Sequence, residues 1–184
     1  MWNNTRRGWG LVSILLHWIG ALAIIGLFAL GWWMTGLDYY DRWYNLGPWW
    51  HRSLGMLLLL VTLIRLGWRS LQPTPKAQGH RLERVAAHFG HIGLYVLMLV
   101  VLVSGYLIST AEGQGINVFD AFEVPALISG LPNQATLAGQ VHWYSALALI
   151  ALSGGHALAA LKHHWVDRND VLTRMVDPRR SRRP

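Results

Sequence analysis

His142 and His156 lie fourteen residues apart in the segment VHWYSALALIALSGGHALAAL. On an α-helix that spacing separates them by about 21 Å along the axis and keeps them within about 40° of one face. A bilayer core is about 30 Å thick, so one imidazole would lie near each side of it. Two earlier apolar segments supply one histidine each, His17 and His51. An ionisable ring inside a membrane is costly, and the roles that repay the cost are metal ligation and proton transfer.

The elements that position these rings are membrane spans. Of 184 residues, 53% are hydrophobic and only 14% charged, the mean hydropathy is +0.27, and there are eleven tryptophans. The stretches 11–34, 51–69, 88–109 and 140–162 are apolar and long enough to cross. Capping and breaking residues extend these to helices over about 11–34, 48–69, 82–109 and 135–162. The expectation is an all-α bundle of four transmembrane helices, one domain over residues 1–184, closed by a basic tail, 163–184. The first span shows no small-residue cleavage site and is expected to be retained. DYYDRWYNLGPWW is expected to be a loop in an interfacial aromatic belt, and INVFDAFEVPALISGLP a short amphipathic element on the membrane surface. With no cysteine, disulfides, thiolate metal sites, thiol catalysis and haem linked through C-x-x-C-H are excluded.

The net charge of +7 is unevenly placed. Fourteen of sixteen Lys/Arg fall before the first span, in 65–84 or from Lys162 onward, where four acids leave a net +10. The other two connections hold Arg42 and Arg52 against Asp38, Asp41, Glu112, Asp120 and Glu123, a net −3. The positive-inside rule therefore puts both termini in the cytoplasm. The tail RRSRRP reads as a topology signal and lipid-headgroup anchor, with no nucleic-acid partner expected.

With that orientation, depth pairs His51 with His142 toward the outside and His17 with His156 toward the cytoplasm. Two imidazoles at equal height on facing helices are what a six-coordinate haem iron needs, so two b-type haems are expected, one per pair. Four separate carbonyl-bonded histidines, or a haem-free proton or metal transporter, are the alternatives. Zinc would need three or four ligands at one level, which the spans lack. Arg65, fourteen residues after His51, reaches the depth of the inner pair and is a candidate propionate partner, as is Arg52 at the outer one. Ser13, Gly20, Gly55, Gly139, Gly154 and Gly155 would leave room for a flat macrocycle. His88 and His91, at the cytoplasmic start of the third span, are candidates for a quinone site, where a carbonyl needs a donor and reduction needs protons. His163 and His164 are candidate proton entry points.

SILLHW, GPWWHRSLG with LIRLGWR, AAHFGHIGLY, and QVHWYSAL with GGHALAAL and HHW together resemble the bacterial cytochrome b561 family over nearly the whole chain. The resemblance implies a di-haem b cytochrome of the bacterial inner membrane, with iron ligands falling on His17 with His156 and His51 with His142. One branch oxidises superoxide on the periplasmic side and reduces ubiquinone; the short form of this chain and its paired His88 and His91 resemble that branch. Other relatives serve periplasmic protein donors such as dehydrogenases. The net −3 of the outer connections departs from a funnel for an anion.

Overall fold

A computed structural model describes residues 2–177. In chain order it contains α1 (Leu11–Met34), α2 (Trp43–Leu71), α3 (Arg81–Ser109), β1 (Ile116–Val118), β2 (Phe122–Val124) and α4 (Gln134–Trp165), then a short 3-10 turn at Thr173–Met175. All four α-helices are long and apolar enough to cross a membrane. The RRSRRP tail lies outside the described residues.

The starts of α1, α2 and α3 are each fixed by a named polar group. Before α1, the buried Asn4 side chain accepts from Gly10 N at 2.9 Å and from Ser13 Oγ at 2.7 Å, which takes up donors that the first turn leaves free. The start of α2 departs from expectation: it begins at Trp43, so the second half of DYYDRWYNLGPWW is helical. The Asp41 carboxylate accepts from Trp43 N at 2.8 Å, an N-cap interaction the Pro48 signal obscured. Pro48 sits in the second turn and forfeits only one ladder bond there. The start of α3 is capped by Glu83, which accepts from His80 N at 2.9 Å. α4 runs to Trp165, so the expected tail opens as helix and carries His163 and His164 in its last turn.

The element expected at 116–132 contains a β-hairpin. β1 and β2 pair antiparallel, Ile116 with Val124 and Val118 with Phe122. Phe119 and Asp120 both take positive φ, 51° and 56°, which turns the chain back. Phe119 N donates to Ser53 Oγ at 3.1 Å, its ring packs on Trp49 and Trp50, and Val118 is fully buried, so α2 holds the hairpin.

The chain forms two compact units, and all four helices contribute to both. The first comprises the residues up to Ala21, Val61–Tyr95 and those from Ala151 on. The second comprises Leu22–Leu60 and Val96–Ile150. The first is held by polar ties: Trp68 Nε1 donates to Ser13 Oγ at 3.1 Å, Asn4 N to Gln72 Oε1 at 3.2 Å, and Trp18 Nε1 to Met175 O at 2.8 Å. The second contains the hairpin, a stacked Trp32–Trp143 pair at 5.4 Å, and buried Leu58, Met98, Leu102 and Leu149.

Candidate functional site

In the second unit, α2 brings His51 and α4 brings His142 to a ring-centroid separation of 6.1 Å, with the planes 75° apart. Two imidazoles sharing one metal through facing nitrogens have centroids about 6.2 Å apart, given metal–nitrogen bonds of about 2.0–2.1 Å and about 1.1 Å from nitrogen to ring centre. The two rings border a cavity of about 380 Å³ whose walls are almost wholly apolar. Gly55 and Gly139 line it, and a Cβ at either would meet nothing within 4 Å, which leaves room for a flat ring system. Arg52 is the one charged side chain in the lining; its Nε also donates to Pro48 O at 3.3 Å.

The two histidines are anchored differently. His142 Nδ1 lies 2.8 Å from Val101 O, so it donates there and leaves Nε2 with its lone pair for a metal. His51 Nδ1 is buried without a partner among the described residues. Each ring also faces a glycine on another helix. A Cβ at Gly31 would lie 3.1 Å from His51 Cε1, and one at Gly105 would lie 3.0 Å from His142 Cε1.

In the first unit, His17 of α1 and His156 of α4 have centroids 6.3 Å apart with planes at 69°. His91 of α3 stands closer to His156, at 5.2 Å, too short for a shared metal and suited to an edge contact. Arg65 Nη2 donates to His17 Nδ1 at 3.0 Å and its guanidinium lies 5.4 Å from the Tyr95 ring centre. Arg69 lies 5.7 Å from the same ring and 5.8 Å from that of Trp9. Among the described residues neither arginine pairs with a carboxylate. Two such cations in a membrane segment suit an anionic group such as a propionate.

The structure brings His51 near His142 and His17 near His156, and it also brings His91 to His156. His88 is exposed, with its ring beside Phe89. His163 Nδ1 is 2.6 Å from Asp167, in a cluster with Glu83 whose possible ligand atoms lie within 4.8 Å of one another. Lys162 Nζ stands 2.6 Å from Glu83 and 2.8 Å from Asp167, so those carboxylates are ion-paired and the cluster is not a cation site. Gly31, Gly105, Arg69 and Tyr95 were missed from the sequence. Spacing marks three of them. Gly31 follows His17, and Gly105 follows His91, by the fourteen residues that separate His142 from His156; Arg69 is one turn beyond Arg65.

Four membrane-length helices with paired imidazoles, one pair beside an apolar cavity, fit the class of b-type membrane cytochromes. The family model for prokaryotic cytochrome b561 matches residues 8–178, and the chain belongs to that family. It is 43% identical to cytochrome b561 homolog 2 of Escherichia coli, over 94% of this chain and 93% of that one. It is 30% identical to cytochrome b562 of Cereibacter sphaeroides, covering 94% and 97%, and 27% identical to the probable superoxide oxidase CybB of Yersinia pestis, covering 96% and 99%. The protein is therefore a multi-pass inner-membrane electron-transfer protein of a haem b family.

Proposed function

We propose that this cytochrome binds two haem b groups, one between His51 and His142 and one between His17 and His156, and carries electrons from superoxide to ubiquinone. The observation that supports it is the matched spacing of the two pairs, 6.1 and 6.3 Å. Haem b held by two imidazoles supplies one-electron transfer with no coordination position left open. The chain's part is to hold and insulate. The apolar walls exclude water from the outer pair, with Arg52 as the cation at that cavity. Arg65 and Arg69 offer donors to propionates in the first unit. His91 is the candidate proton donor to a quinone carbonyl. With both termini cytoplasmic, the donor reacts at the periplasmic side. Overall, two superoxide ions lose one electron each and leave as dioxygen, while ubiquinone takes two electrons and two protons to become the quinol. Likeness to the relative named as a superoxide oxidase, over 96% of this chain, supports that donor.

The test is anaerobic addition of superoxide to the oxidised, purified protein. The b-type bands should be reduced rapidly, superoxide dismutase should abolish the reduction, and added ubiquinone should reverse it. Bands that respond to dithionite and ignore superoxide would favour a second reading, a protein donor. The net −3 of the outer connections supports that alternative, because it repels an anion and suits a basic protein.

A further inference from the structure

The geometry points to Gly31 and Gly105 as positioning residues that hold the imidazoles of His51 and His142 at a steep angle to each other. The inference rests on the reading that these two histidines share one iron. Each glycine abuts the Cε1 edge of one ring. A methyl group at Gly31 would stand 3.1 Å from His51 Cε1 and 3.6 Å from its Nδ1; at Gly105 it would stand 3.0 Å from His142 Cε1 and 3.2 Å from its Nδ1. Carbon contacts settle near 3.5–4.0 Å, so alanine at either place makes the ring turn or withdraw by several tenths of an ångström. The rings now lie at 75° to each other.

Two residues of one pair then respond unequally. His142 is held by its bond to Val101 O at 2.8 Å, so pushing its ring breaks a contact that sets both tautomer and donor strength. His51 has no such bond at Nδ1 and can swing with less loss.

The experiment is low-temperature electron paramagnetic resonance of the oxidised holoprotein, with haem counting and a potentiometric titration. Crossed imidazoles give a strongly anisotropic low-spin ferric signal; parallel ones give an ordinary rhombic signal. The second unit's contribution is identified as the one lost in His51→Ala. In the native protein it should be strongly anisotropic. Gly105→Ala should move that signal, shift the potential of that haem alone and weaken its retention about tenfold, in line with outer-shell changes at other metal ligands. Gly31→Ala should move the signal with less loss of haem. Gly26→Ala, where a Cβ meets nothing within 4 Å, should change neither. Native signal and potential in both alanine variants would overturn the inference. Should those variants fail to accumulate, a rhombic native signal from this haem overturns it alone. If His51→Ala keeps two haems, the shared-iron reading fails; if it loses one while Gly31→Ala and Gly105→Ala are silent, only the positioning role fails.

Discussion

Arg65 donates a hydrogen bond to Nδ1 of His17 at 3.0 Å. A guanidinium has only donors, so Nδ1 supplies the lone pair. A neutral imidazole that ligates iron through Nε2 carries its proton on Nδ1, and that proton competes with Arg65 for the same space. Arg65 therefore suits a second acceptor within reach, and a propionate is one. Arg65→Leu should lower the midpoint potential of one haem, because a lost cation favours the oxidised state. About 1 kcal/mol of lost attraction corresponds to about 40 mV for one electron. Potentiometry that finds neither haem moved would separate Arg65 from the cofactor.

The two pairs lie in different units, so each haem should be lost independently. His17→Ala or His156→Ala should remove one haem and leave the other's spectrum intact, and His51→Ala or His142→Ala should do the converse. Haem counting with difference spectra of the four variants decides this. Loss of both groups from any single substitution, in protein that remains folded by circular dichroism, would count against independent sites.

Depth was legible in the sequence because helical rise is uniform: His51 with His142, and His17 with His156, follow from counting residues along spans whose direction the positive-inside rule assigns. The spans themselves were legible because apolar length is a strong signal. The start of α2 was not, since the Asp41 cap competes with a proline that usually marks a boundary. Nor was the hairpin at 116–124, whose turn puts Phe119 and Asp120 at positive φ where glycine or asparagine is the usual sign. Gly31 and Gly105 were hidden for another reason. Glycine is common in membrane helices, and the fourteen-residue spacing alone does not tell a contact with an imidazole edge from ordinary close packing.

The end of α4 offers a pH test. The Lys162 side chain, hydrogen-bonded to Asp167, holds that carboxyl below its ordinary range. A depressed carboxyl contributes stability that is complete above its unfolded value, about 3.9, and is lost as pH falls through the lowered one. Segment 166–177 should keep its hydrogen-exchange protection, corrected for intrinsic rate, down to that range and lose it below. Asp167→Asn should lack this acid step. An acid step retained in Asp167→Asn would assign the tie to another group.

His91 is the residue on which the acceptor side of the proposed reaction depends. Its ring centre is 5.2 Å from that of His156, against 6.3 Å for His17, so it meets His156 edge-on without the room for an iron between them. It belongs to the same helix as Tyr95, one turn further on, where Arg65 and Arg69 converge. A quinone carbonyl at that level would find a ring donor from His91 and a positive field that favours its reduction. His91→Phe keeps the packing and deletes the donor. Both haem spectra should survive, reduction by dithionite should be unchanged, and reoxidation by ubiquinone should slow by about 10²-fold, the lower end of general acid contributions. Disappearance of one haem from this variant, with reoxidation of the other undisturbed, would instead make His91 the partner of His156 and displace His17 from that role.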